Sequence, residues 1–134
     1  MANSRPVRVL VVDDHASVRE GLRAALGTWP DVEVVGEASD GLAALAEFWL
    51  CRPDVVLLDL RMPGMGGLET LGALRRADPT ARVLVLTAHD SPEHAQEAAA
   101  LGAAGFLQKA LPAAEIAEAL LRVAAGGRVF PAGL

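Results

Sequence analysis

"VVLLDLRMPG", residues 55–64, sets four apolar, mostly β-forming residues directly before an aspartate. Val55–Leu58 read as a strand buried on both faces, so Asp59 leaves a sheet at its carboxyl end. A carboxylate in such a place is costly to desolvate unless a charge or a hydrogen-bond donor meets it. Similar short runs recur along the chain at 7–12, 32–38, 82–87 and 105–109. Segments with helical spacing lie between them: Val18, Leu22, Ala25 and Leu26 share one face, as do Leu42, Leu45, Ala46 and Trp49. Leu68, Leu71 and Leu74 mark a third helix, and Ile116, Leu120 and Val123 a last one. The remaining helix, "SPEHAQEAAALGA", is mostly alanine, with Ser91 as its expected N-cap and Pro92 in its first turn. Ser39 or Asp40 caps the second helix, and "DPT" (78–80) makes a turn before the fourth strand.

Strict strand–helix alternation with near-continuous apolar strands specifies an α/β domain, a parallel sheet covered by helices on both faces. The 134 residues suit one domain, and 52% hydrophobic against 22% charged residues is an ordinary globular balance. A formal charge of −5 argues against a nucleic-acid surface, which needs clustered Lys and Arg. The single cysteine, Cys51, excludes an internal disulfide and reads as a half-buried small residue at a helix end. No apolar run approaches a membrane span, which points to a cytoplasmic protein without a membrane partner. "FWLC" (48–51) is unusually apolar for a helix end and reads as extra core or a covered edge.

In such sheets ligands bind beyond the carboxyl ends of the strands. Those ends carry Asp13-Asp14-His15, Asp59, Thr87-Ala88 and Lys109. Three carboxylates against one ammonium leave a negative deficit, and oxygen ligands with a partly open site favour Mg²⁺. Asp59 is then free to act as a nucleophile toward phosphorus, with Lys109 and Thr87 cradling the transferred group. His15, His89 and His94 are scattered and form no histidine metal cluster.

"DDH" (13–15), "DLRMPGM" (59–65), "LTA" (86–88) and "GFLQK" (105–109) together resemble the receiver domain of two-component response regulators, in order and spacing over residues 7–125. The resemblance implies a flavodoxin-like doubly wound (βα)5 fold with a five-stranded parallel sheet in the order 2-1-3-4-5. It also implies phosphotransfer from a sensor histidine kinase to Asp59, a signalling switch rather than an enzyme. Asp14, Asp59 and the Arg61 carbonyl are then direct Mg²⁺ ligands, with Asp13 acting through water. Thr87, Ala88 and Lys109 contact the phosphoryl group. Phe106 is the switch aromatic, relaying the change to the face formed by the fourth helix, fifth strand and fifth helix, with homodimerisation on phosphorylation. The side chains two beyond Asp59 and two beyond Thr87, Arg61 and His89, flank the approach of hydrolytic water and tune the lifetime of the phosphate.

"REGL" (19–22) and Ala110 after Lys109 resemble the regulators that carry a C-terminal LuxR-type helix-turn-helix. Residues 1–6 read as a tail and 126–134 as the start of a linker. No helix-turn-helix fits before Leu134, so DNA is reached through a further domain, or the chain acts alone in a phosphorelay or as an interaction module. Gly66 stands where the family commonly has aspartate, which loosens the turn into the third helix and removes no reacting group. A Mg²⁺-dependent phosphatase with an aspartate nucleophile needs an acid two residues on, where Arg61 sits. A flavin binder needs Ser/Thr/Gly donors where "DDHAS" offers carboxylates.

Overall fold

The computed structural model describes residues 5–62, 64–88 and 92–131. Its elements alternate throughout: β1 (Val7–Val12), α1 (Ala16–Leu26), β2 (Val32–Ala38), α2 (Gly41–Cys51), β3 (Val55–Asp59), α3 (Gly67–Ala77), β4 (Val83–Thr87), α4 (Pro92–Ala100), β5 (Gly105–Gln108) and α5 (Ala113–Ala124). All pairings are parallel, in the order β2-β1-β3-β4-β5. Strand order reverses between β1 and β3, which opens a crevice at their carboxyl ends.

The sheet divides two apolar layers. Leu10, Val12, Val56, Leu58, Val83 and Val85 face α2, α3 and α4, while Val9, Val11, Val55, Leu57, Leu84 and Leu86 face α1 and α5. Alternation along each strand produces this division, and every residue of β3 and β4 is buried. The strands β4 and β5 are each one residue shorter than the sequence pattern suggests. Asp40 is the residue that caps α2, accepting from the Ala43 amide at 2.8 Å. The Asp78 side chain likewise closes the turn before β4 on Thr80. Ser91, expected to cap α4, lies outside the described residues.

The face assigned to α2 needs correction at Leu42, Ala46 and Trp49, while Leu45 does pack against the core. Its buried stripe is Gly41, Ala44 and Phe48, while Leu42 is 71% exposed, Trp49 45% and Leu50 77%. Only Glu47 among its eleven residues is charged, so periodicity cannot choose a face. Packing chooses instead: a Cβ at Gly41 would lie 2.6 Å from Met65 Sδ and closer still to Thr70 Oγ1, so this small residue must face α3. Of "FWLC", then, Phe48 is core and Leu50 faces solvent. Trp49 meets Phe48 edge-on, with the Arg52 guanidinium 4.7 Å from its ring centre. Cys51 is half-buried, and burial, with Glu47 beside it, raises its thiol pKa.

Past α5 the chain folds back onto the outer edge of β5. The Val129 amide donates to Ala104 O at 3.0 Å, and the Phe106 amide donates to Val129 O at 2.8 Å. Phe130 packs against the core layer that contains Phe106.

Candidate functional site

Parallel register brings the strand ends level. Val12 pairs with Leu58, Asp59 with Leu86 and Thr87 with Gln108, so Asp13, Asp59, Thr87 and Lys109 emerge along one rim. Asp13 and Asp59 are buried, at 2% and 5% exposure. Lys109 Nζ lies 2.6 Å from Asp13 Oδ2 and 3.2 Å from Asp59 Oδ1, which is what meets the buried acid. The Arg61 amide also donates to Asp59 Oδ1, at 3.3 Å.

The charges remain unbalanced. Burial raises the Asp59 pKa, the neighbouring Asp13 charge raises it further, and Lys109 and the Arg61 amide only partly offset this. Burial alone would lower the Lys109 pKa, yet its contacts with Asp13 and Asp59 carry the net shift upward. Asp14 Oδ1 is buried without a hydrogen bond. His15 Nδ1 is 3.1 Å away, but not in hydrogen-bonding geometry. One ligand atom from each of Asp13, Asp14, His15 and Asp59 lies within 4.8 Å of the others. An orphaned carboxylate oxygen among clustered hard oxygens fits a small divalent cation, Mg²⁺ above all.

Two residues without catalytic chemistry hold this rim. Arg19 Nη1 donates to the Asp13 carbonyl at 2.6 Å, while its Nε bonds Glu37 at 3.1 Å. Glu37 also pairs with Arg23 at 2.7 Å, and that bond leads the causes holding its carboxyl below the usual range. Gly67 closes the other loop. Its amide donates to Leu60 O, and a Cβ there would stand 2.5 Å from the carbonyl oxygens of Asp59 and Leu60. Sequence reading passed over both, though the Gly66-Gly67 pair was a visible signal. Gly66 has no side chain to cap α3, so Glu69 reaches back to its amide at 3.1 Å.

Phe106 is fully buried opposite Val85, and alternation places Thr87 on the same sheet face as Val85. Thr87 is itself buried, its carbonyl accepting from the Lys109 amide at 2.8 Å. Ala88 is exposed at the rim, as is the Arg61 side chain. His89 lies outside the described residues.

A flavodoxin-like fold with an acid cluster and a lysine at its strand ends is the architecture of a signalling receiver domain. The response regulator receiver domain model matches residues 9–121, and the chain belongs to that family. It is 46% identical over its whole length to the "Probable transcriptional regulatory protein NarL" of Mycobacterium tuberculosis (strain H37Rv) and 38% to the nitrate/nitrite response regulator protein NarL of Escherichia coli K12. The chain spans 63% and 62% of the length of those two relatives. The solved receiver domain of the M. tuberculosis NarL superposes with a TM-score of 0.86 at 48% identity, covering 91% of this chain and 98% of that one.

Proposed function

We propose that this receiver is switched by phosphorylation of Asp59, the phosphoryl group coming from the phosphohistidine of a sensor kinase. An Asp59 carboxylate oxygen attacks phosphorus, the N–P bond breaks, and its electron pair returns to the imidazole, which takes up a proton. Catalysis here is positioning and charge neutralisation. Lys109 sits where it can neutralise oxygens of the transferred group, and the Thr87 hydroxyl and Ala88 amide complete the cradle. Asp14, Asp59 and the Arg61 carbonyl would hold Mg²⁺, with Asp13 through water; the ion would supply positive charge to the phosphoryl oxygens. The observation that carries this reading is the buried Asp59 in contact with Lys109, beside an Asp14 oxygen that lacks a hydrogen-bond partner.

The phosphoryl group adds roughly 1.5 to 2 negative charges and strong acceptor oxygens at the rim. Thr87 turns toward it, Phe106 fills the space released, and the face of α4, β5 and α5 changes shape for homodimerisation. Residues 7–125 form the switch unit. By analogy with the NarL relatives, output to DNA runs through a C-terminal domain outside this sequence, in the cytoplasm. Arg61 and His89 shield the phosphate from water, giving a lifetime of minutes.

The test is phosphorylation by acetyl phosphate with Mg²⁺, followed by size-exclusion chromatography and NMR of residues 87–110. A new oligomer or a changed set of shifts supports the switch; an unchanged protein carrying full phosphate refutes the relay. Faster dephosphorylation of Arg61→Asn and His89→Ala supports shielding, and slower decay refutes it.

A further inference from the structure

At the opposite end of the sheet from Asp59, three arginines border one cavity of about 280 Å³: Arg75 from α3, Arg82 before β4, and Arg128 after α5. No carboxylate lines it, and none of the three forms an ion pair among the described residues. Asp78 feels the Arg75 charge, but its side chain is bonded to Thr80. The guanidiniums are held by neutral groups instead. Arg75 Nη1 donates to the carbonyls of Pro79 and Ala81, Arg82 Nη1 donates to Ala124 O, and Arg128 lies 5.0 Å over the Phe130 ring. Carbonyls and a ring face orient a guanidinium without cancelling its charge. In a chain of formal charge −5, three cations gathered around one hollow that no carboxylate lines make it locally positive and suited to an anion.

Glycine keeps the hollow open. Gly102 has φ +94°, and a Cβ there would come 2.6 Å from Arg75 Nε, displacing the guanidinium from its seat. Gly126, with φ +97°, has nothing within 4 Å of the place a Cβ would take. Arginines from three elements around one hollow suit oxyanions of charge −2 or more, because a guanidinium keeps further N–H donors to offer to paired oxygens.

We propose that this cavity binds the phosphate group of a small phosphorylated molecule. Bound there, the phosphate bridges the α3–β4 loop, the start of β4 and the segment leading to Val129, so it ties down the chain that docks on β5. The site is independent of the Asp59 chemistry and uses none of its residues.

The test is an NMR titration of the full chain, free of divalent metal, with sodium pyrophosphate at constant ionic strength. Saturable shifts confined to 75–83, 99–104 and 123–130, with a dissociation constant on the order of 1 mM or tighter, support the site. Arg128→Gln and Arg82→Gln should each weaken binding roughly tenfold, the loss expected from one charge-assisted contact. Arg128→Lys should recover part of it. Adenosine monophosphate tested beside inorganic phosphate separates the sources: tighter binding of the former marks a nucleotide site, and equal binding marks a site for the phosphate group alone. Shifts no larger than those in sodium chloride, shifts centred on residues 13, 14 and 59, or unchanged binding by both glutamine variants would overturn the proposal.

Discussion

Replacing Asp59 by asparagine should stabilise the metal-free protein. The donor atoms of Asp13, Asp14 and Asp59 lie within 4.8 Å of one another, and Lys109 Nζ is 3.2 Å from Asp59. Burial is the largest cost on the Asp59 charge, the Asp13 repulsion adds to it, and the Lys109 attraction only partly offsets the two. Burying a polar group with incomplete compensation costs about 1–3 kcal/mol, so roughly 2 kcal/mol stands against the charge. Lys109 keeps its 2.6 Å contact with Asp13, so the variant strands no cation. A gain near 2 kcal/mol corresponds to a melting temperature raised by roughly 6–8 °C in a domain of this size. The pH dependence has a definite sign. Folding raises the Asp59 pKa above its ordinary 3.8, so the ionised form penalises the native state. The asparagine advantage is therefore absent below about pH 3.8, grows as pH rises through the folded-state value, and is complete above it. Saturating Mg²⁺ should erase it, since a ligand at 100 times its dissociation constant adds about 2.7 kcal/mol to the wild type. Thermal unfolding from pH 3 to 8, with chelator and with Mg²⁺, measures all of this. A variant no more stable than wild type at pH 7 in chelator would refute the charge-crowding argument.

Glu37→Gln should cost about 1 kcal/mol at pH 7, because its pairs with Arg19 and Arg23 are only partly screened. The folded-state pKa of Glu37 is lowered, so the deficit should persist down to its ordinary 4.5 and fade below it in urea unfolding; a pH-independent deficit would contradict the ion pairing. Gly67→Ala should destabilise by about 3 kcal/mol, because its Cβ meets backbone oxygens rather than a yielding side chain. The same variant should slow phosphorylation by acetyl phosphate by displacing Asp59, and a rate equal to wild type would show that this turn does not position the acid. Within α2, Phe48→Ala should cost about 3–5 kcal/mol and Leu50→Ala less than about 0.5, a contrast that chemical denaturation resolves directly.

The strands were legible because a sheet buried on both faces demands uninterrupted apolar runs, and the acids stand out where those runs stop. The alternation also carried the sheet's parallel character. The face of α2 was not legible. Leu42, Ala46 and Trp49 recur at helical spacing as regularly as Gly41, Ala44 and Phe48, and only the fit of Gly41 against Met65 and Thr70 separates the two stripes. Arg19 was missed for another reason. It acts on a main-chain carbonyl, a contact to which any residue type can contribute, so no partner residue betrays it in the sequence. The return of the chain to β5 rests on two backbone hydrogen bonds at Val129, which are equally silent. The cavity of arginines assembles from three segments far apart in the chain and has no local signature.

The most direct measurement is intact-mass and peptide mass spectrometry after incubation with acetyl phosphate, with Mg²⁺ and with chelator. Phosphorylation of Asp59 predicts a single base-labile phosphoryl group in Mg²⁺, mapped to the peptide containing Asp59, and none in chelator or in Asp59→Asn. A phosphoryl group that persists in Asp59→Asn, that maps elsewhere, or that never forms in Mg²⁺ would contradict it.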